Sequence, residues 1–369
     1  MARPIARRLY GEQRPRIPAS PRILVVELWQ IGDVVLSTPL LASLRYCFPD
    51  STITFLGKPH AETLLRASGL VDDVIVAELP WTRTERKYHP ADYDWGVVRN
   101  LLRRLRERRF DVAFDARMDI RSNILVSLTG AKRRFGFRYG GGDWLLTDAI
   151  PVDPAANHKT GDWASLLQAA GCQPTGDPRC ILKTTEDERL DARAVLSNHF
   201  GVGARPIALH PGGSHAGKRW PLDCFDSLAR EVLSAGYQVV AFHEPNGYGK
   251  ELDGIAGVLG LRVGLREMMA IIEQCATLVC NDSGPMHVAA ALGVPTVAIF
   301  ERGEPRWFGP VGDDHIVIAG EKAGIDVSAA PLDRPPANPV PVSRVKEAVL
   351  VQVERSRTSR YSQPLETKL

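Results

Sequence analysis

Nowhere in the 369-residue chain do about 18 apolar residues run together. The basic N-terminus, Met-Ala-Arg-Pro-Ile-Ala-Arg-Arg, is followed by no apolar signal core. These absences predict neither a membrane span nor export by a signal peptide. Cysteine is sparse: Cys47, Cys172, Cys180, Cys224, Cys275 and Cys280 are scattered, with no C-x-x-C pair and several inside apolar runs. That argues against a zinc site or a disulfide framework and predicts reduced core thiols in a cytoplasmic protein. Charge of one sign is also lacking, since 46 basic residues face 43 acidic ones. Composition therefore gives no reason to expect a nucleic-acid partner. Walker A and Gly-x-Ser-x-Gly sequences are absent, and Gly136-Phe-Arg-Tyr-Gly-Gly-Gly142 has neither the spacing nor the strand-to-helix setting of a dinucleotide fingerprint. No solenoid-like repeat occurs.

What the chain does have is alternation. Apolar runs at 23–28, 52–55, 73–76 and 112–114 read as strands, separated by helical patterns at 39–46, 61–67 and 100–109. The scheme restarts with strands at 207–210, 238–242 and 276–280 and helices at 222–234, 265–274 and 286–292. Such an order predicts an α/β fold with parallel sheets covered on both faces, and the length suggests two domains. Expected boundaries are a flexible basic arm over 1–20, a first domain over 21–195, a second over 196–330, and a proline-rich crossing segment over 331–369. In that last segment Ser343 would cap a helix whose Val345, Ala348, Val349 and Val353 recur at helical spacing.

The most informative stretch is 278–300, a buried strand, a tight polar turn Asn281-Asp-Ser-Gly-Pro285, an alanine-rich helix and a second strand. Backbone N–H groups of Ser283, Gly284 and the first helical turn would favour an anion such as a diphosphate. Asp282 is better suited to a sugar hydroxyl, and His287 reads equally as a ligand or as a satisfied helix histidine. Four other pieces fall after predicted strands or beside them. In Gly32-Asp33, after the first strand, the Asp33 carboxylate either takes a proton from an attacking hydroxyl or merely caps a helix. In 210–221, Gly212, Gly213 and Ser214 suit close approach to phosphate while Lys218 and Arg219 add charge, the alternative being a solvated loop. Glu244 and Glu251 are both candidates for ribose hydroxyls. Arg121, Arg134 and Arg138, outside a basic helix over 103–109, are candidates for an anionic acceptor or an anionic membrane surface.

Gly32-Asp33-Val34-Val35 with Thr38-Pro39, Arg134 with Gly136-Phe137, Lys218-Arg219-Trp220-Pro221, and Asn281-Asp-Ser-Gly-Pro-Met-His287 with Ala289-Ala-Ala-Leu-Gly293 together resemble glycosyltransferase family 9, the lipopolysaccharide heptosyltransferases. The likeness runs in order from about residue 22 to 355. It implies a GT-B architecture, two Rossmann-like domains facing across a cleft, and inverting, metal-independent transfer from ADP-heptose to a lipopolysaccharide core. It also implies that Asp33 is the catalytic base, Lys218 the phosphate ligand, and Asp282, Ser283, Gly284 and His287 the donor turn. No cofactor beyond the nucleotide sugar is implied, and the expected location is cytoplasmic, with peripheral contact at the inner membrane. The sequence departs from the family pattern at Glu301-Arg-Gly-Glu304 and at His243-Glu244. Alternatives are another nucleotide sugar, a protein acceptor, a nucleotide-sugar epimerase, or a non-catalytic ADP-binding module. Asp92-Tyr93-Asp94 looks like the Asp-x-Asp of metal-dependent sugar transferases, but 88–91 before it is no strand, so it is set aside.

Overall fold

A computed structural model describes residues 15–82, 93–152, 158–173, 179–324 and 334–361. Most of the expected basic arm, Asp92 and part of the proline-rich segment lie outside the described residues. The chain divides into two compact units, the first ending at Ile181 and the second beginning at Leu182.

The first unit is a six-stranded parallel sheet of β1 (Arg22–Glu27), β2 (Thr52–Gly57), β3 (Asp73–Val76), β4 (Val112–Asp115), β5 (Arg133–Phe137) and β6 (Asp148–Ile150), in the order β3-β2-β1-β4-β5-β6. In β1 both faces are buried, as its uninterrupted Ile23-Leu-Val-Val26 run requires of a sheet with helices on each side. The second unit repeats the plan with β7 (Ile207–His210), β8 (Val239–Phe242), β9 (Val258–Leu261), β10 (Thr277–Asn281), β11 (Thr296–Gly303) and β12 (His315–Ala323), ordered β12-β11-β10-β7-β8-β9. In each unit the chain winds outward from a central strand, then returns to that strand's other side. The reversal falls between β1 and β4 and between β7 and β10, which is where ligands bind in open α/β sheets. Among the described residues no helix is long and apolar enough to cross a membrane.

Several boundaries differ from expectation. The helix Glu186–Phe200, opened by reciprocal Thr185 and Glu188 capping, belongs to the second unit, where Ala192 and Leu196 join a core with Met268, Ile271 and Ile272 of the helix Leu265–Gln274. The expected boundary at 195/196 would have cut through it. With so few buried residues, its sequence does not say which sheet it covers. The basic helix begins at Trp95 rather than 100, because Asp94 Oδ1 accepts the N–H groups of Gly96 (2.9 Å) and Val97 (3.2 Å). A cap thus accounts for the acidic residue that completes the Asp-x-Asp. The C-terminal helix Val342–Tyr361 starts one residue before Ser343, which is therefore not its cap. Val345, Ala348, Val349 and Val353 pack into the second unit's core, as does Val340, whose N–H reaches Glu301 Oε1 at 2.8 Å.

Cysteine provides another correction. Cys47 and Cys172 form a disulfide with a Cα–Cα distance of 6.0 Å, joining the end of the helix Thr38–Cys47 to the turn after the helix Lys159–Ala169. They are 125 residues apart, so only the packing of those helices reveals the pair. Cys180, Cys275 and Cys280 are buried free thiols, and Cys224 is a partly buried one.

Candidate functional site

In the first unit the strand ends on one edge of the sheet gather ionisable groups. Asp33 lies in the first turn of the helix Ile31–Leu36, directly after β1. Its Oδ2 accepts the Gln30 N–H at 3.1 Å, and its Oδ1 is 3.5 Å from the Arg117 guanidinium. The helix-capping contact and an ion pair therefore coexist on one side chain. Arg117 follows β4 and sits 3.8 Å above the Trp29 ring, so the Asp33–Arg117 pair stands at the β1/β4 reversal.

Beneath that pair lie two carboxylates that belong to no sequence motif, the last residues of β1 and β4. Glu27 Oε1 accepts the Trp29 N–H at 3.1 Å, and Asp115 Oδ1 accepts the Arg117 N–H at 2.8 Å. Burial, reinforced by the charge of Asp33, raises the Glu27 pKa to about 8. Burial raises that of Asp115 to about 7, against the pull of Arg117. An acidic residue closing an all-apolar strand was the available signal, since parallel strand ends border the ligand crevice. Lys58, just past β2 on the same edge, donates to Thr82 O at 3.0 Å, and burial holds its ammonium below the usual lysine range.

The raised carboxyl pKa values predict a pH dependence of stability. Between about 4.5 and 8 the unfolded chain releases a Glu27 proton that the folded chain keeps, so stability falls as pH rises across that window. Asp115 adds to the fall up to about 7. Glu27→Gln, which retains an acceptor for Trp29, removes its share. The expected result is a Tm advantage over the parent chain that grows from pH 5 to pH 8, followed by calorimetry. An advantage constant with pH refutes the assignment.

The three candidate arginines have different surroundings. Arg134 is 5% exposed and donates to Leu145 O (2.9 Å) and Ala131 O (2.8 Å), tying β5 to neighbouring loops. Its place is structural, and the expected acceptor role is withdrawn. Sequence could not show this, because an arginine inside a short strand reads like one on the surface. Arg121 is paired with Asp119, two residues before it. Arg138 is exposed at the carboxyl end of β5, on the edge that carries Asp33.

In the second unit the loop after β7 and the turn after β10 meet at the β7/β10 reversal. Asn281 builds the junction: its Nδ2 donates to Pro211 O (2.7 Å) and Gly212 O (3.0 Å), while its Oδ1 accepts the Trp220 N–H (2.8 Å). The frame holds Lys218 Nζ 2.7 Å from Asp282 Oδ2, with side-chain exposures of 20% and 9%. Lys218 is thus an ordered, largely desolvated cation whose remaining N–H donors suit an anion. Ser283 precedes the helix Gly284–Ala291, its hydroxyl donating to Asn281 O at 3.1 Å. The first N–H groups of that helix have no partner inside it. Arg219 donates to Gly213 O at 2.8 Å and lies 4.5 Å from the Tyr248 ring, which fixes the glycine loop. Ser214 is exposed on that loop. His287 is buried and engaged within the fold, which favours the helix-histidine reading over the ligand reading.

The structure also separates the two candidate glutamates. Glu244 follows β8, and its carboxylate lies so close to Gly212 that a Cβ there would come within 1.8 Å of Oε1. Glycine is required at 212 for that approach. Glu251 is exposed on the short helix Lys250–Gly254. Glu244 is therefore the one held against the glycine loop. The Glu301-Arg-Gly-Glu304 segment borders the Asp282 turn, since a Cβ on Gly303, at φ +101°, would be 2.7 Å from Asp282 Oδ2. Glu301 itself is buried under Val340, and Glu304 caps the helix Pro305–Phe308.

Comparison with known proteins identifies the family. Residues 98–329 match the model of glycosyltransferase family 9 (heptosyltransferase). Lipopolysaccharide heptosyltransferase 2 of Escherichia coli K12 is 27% identical over 317 residues, covering 80% of this chain and 87% of that protein. Among solved structures, a family 9 glycosyltransferase from Veillonella parvula superposes with a TM-score of 0.75 at 22% identity, covering 91% of this chain and 97% of the other. The E. coli ADP-heptose heptosyltransferase II superposes at 0.71 with 24% identity, covering 91% and 99%. The paired doubly wound sheets are thus those of GT-B heptosyltransferases, and this chain is a glycosyltransferase belonging to family 9.

Proposed function

We propose that this enzyme transfers a heptose from ADP-heptose to a lipopolysaccharide core acceptor, with inversion and without a metal ion. Asp33 removes the proton from an acceptor hydroxyl, and that oxygen attacks the anomeric carbon as the bond to the diphosphate breaks. The electron pair leaves on ADP, whose charge is taken up by Lys218 and the amides at Ser283 and Gly284. Glu244 holds the ribose hydroxyls. Asp282, oriented by Lys218, accepts a sugar hydroxyl, and Arg138 contributes to an anionic acceptor. Carrying this reading is the 2.7 Å Lys218–Asp282 pair beside a helix start at the β7/β10 reversal, a cation and donor amides where a nucleotide diphosphate would sit. The printed names of matched relatives, including lipopolysaccharide heptosyltransferases 1, 2 and 3, support the donor and acceptor class. A lipid-linked acceptor would place the enzyme at the cytoplasmic face of the inner membrane.

The test incubates the purified chain with ADP-heptose or other nucleotide sugars and truncated lipopolysaccharide cores, with and without EDTA. Released nucleotide and the anomeric configuration of the product are measured. Acceptor-dependent release of ADP, unaffected by EDTA and yielding the inverted linkage, is expected. Donor consumption that needs no acceptor would identify an epimerase or hydrolase instead, and loss of turnover in EDTA would overturn the metal-independent mechanism.

A further inference from the structure

We infer that Arg117 is a positioning residue for the Asp33 base, with the Trp29 ring as its platform. Two strands that lie side by side end alike: Glu27 closes β1 and accepts the N–H of Trp29 at 3.1 Å, while Asp115 closes β4 and accepts the N–H of Arg117 at 2.8 Å. Each carboxylate thus fixes the turn that carries the residue two positions on. The side chains so placed are the two that stack, with the guanidinium 3.8 Å above the indole. Lys159 Nζ, 3.5 Å from Ala116 O, ties the second of these turns to the helix Lys159–Ala169. Together these contacts hold an arginine whose guanidinium reaches Asp33.

The consequence for Asp33 is orientation. Its two oxygens are held from different elements, Oδ2 by the Gln30 N–H at 3.1 Å and Oδ1 by Arg117 at 3.5 Å, so turning the carboxylate breaks one contact or the other. Each oxygen keeps a further lone pair for an incoming hydroxyl proton. With side-chain exposures of 32% for Arg117 and 17% for Asp33, the ion pair adds little to folding, whereas the buried carboxylates that seat it carry a desolvation cost. A costly frame under a weak pair points to function. Misplacing a reacting group by about 1 Å costs on the order of 10²-fold in rate, which sets the scale of the effect. Arginine suits the task because its planar fork both stacks on an aromatic face and pairs with a carboxylate, two contacts that lysine's point charge does not combine. This inference rests on the reading of Asp33 as the base and goes beyond it by assigning what holds that base in place.

Steady-state and single-turnover rates of the full chain with ADP-heptose and a truncated lipopolysaccharide core test the assignment. Arg117→Ala should lower kcat by about 10- to 100-fold and leave acceptor KM, ADP affinity and the melting curve near those of the parent. Guanidinium at low, non-denaturing concentration should restore part of that loss, which a merely structural arginine would not show. Arg117→Lys should stay slow. Trp29→Leu should be slow as well, while Trp29→Phe, which keeps an aromatic face, should turn over close to the parent rate. In an Asp33→Asn chain, Arg117→Ala should cause almost no further loss, because the arginine acts through the carboxylate. A parent-like kcat in Arg117→Ala overturns the proposal. So does a loss confined to acceptor KM, which would make the arginine an acceptor ligand, or an equal loss with and without the Asp33 carboxylate. An inactive Asp33→Asn beside an unimpaired Arg117→Ala refutes the positioning role alone. Parent turnover in Asp33→Asn refutes the base reading and takes this inference with it.

Discussion

Asp33→Asn should lower kcat by about 10²- to 10⁴-fold, the range that a positioned general base contributes, and leave ADP affinity unchanged. The substitution is nearly isosteric. The asparagine Oδ1 can still accept the Gln30 N–H, so the first turn of the helix Ile31–Leu36 keeps its cap. What is lost is the basic oxygen and its attraction to Arg117 across 3.5 Å, a partly exposed pair worth about 0–1 kcal/mol to folding. A normal melting curve, normal calorimetric binding of ADP and a collapsed turnover number are therefore expected together. Turnover near that of the parent would remove Asp33 as the base and leave it with the capping role alone. Glu27 and Asp115 are buried beneath it, at 3% and 1% exposure, so neither is placed to reach an acceptor hydroxyl in its stead.

Lys218→Ala should weaken ADP binding and transfer together. One charge-assisted hydrogen bond to a diphosphate is worth about 1.5–3 kcal/mol, or roughly 10- to 150-fold in affinity. A second effect adds to the first. Asp282 is only 9% exposed, so without its partner 2.7 Å away it becomes a desolvated carboxylate beside the ligand's negative charge. Removing that carboxylate as well, in Lys218→Ala with Asp282→Asn, should therefore restore part of the lost ADP affinity and thermal stability. Calorimetry and melting of the four chains of this double-mutant cycle measure the coupling. Strictly additive losses would show that the two side chains do not act as a unit, and unchanged ADP affinity in Lys218→Ala would remove the lysine from the donor site.

Local signals reported the fold well, because a parallel strand buried on both faces must be almost wholly apolar and its crossover helix must carry an apolar stripe. Hence 23–28, 207–210 and 276–280 were legible as strands, and the turn Asp282-Ser283-Gly284 as the start of a helix. Helices with little buried surface were less legible. Glu186–Phe200 gives a clear start through Thr185 and Glu188, yet only its packing on Leu265–Gln274 shows which unit owns it. The arginines were legible only as a charge reserve. Arg134, Arg121 and Arg138 look alike in sequence, while the structure buries the first among carbonyls, pairs the second with Asp119 and exposes the third at a strand end.

Sequence by itself determined the chemistry on offer: a carboxylate after the first strand, a glycine-rich loop with two cations after β7, and an acidic turn opening a helix after β10. Tertiary structure alone decided which of these meet. Lys218 and Asp282 are 64 residues apart, Asp33 and Arg117 are 84 apart, and Cys47 and Cys172 are 125 apart. Periodicity along a chain reports which face a side chain occupies. Neighbours at a strand edge are instead set by the order in which crossovers lay the strands down, and that order places β4 beside β1 and β10 beside β7.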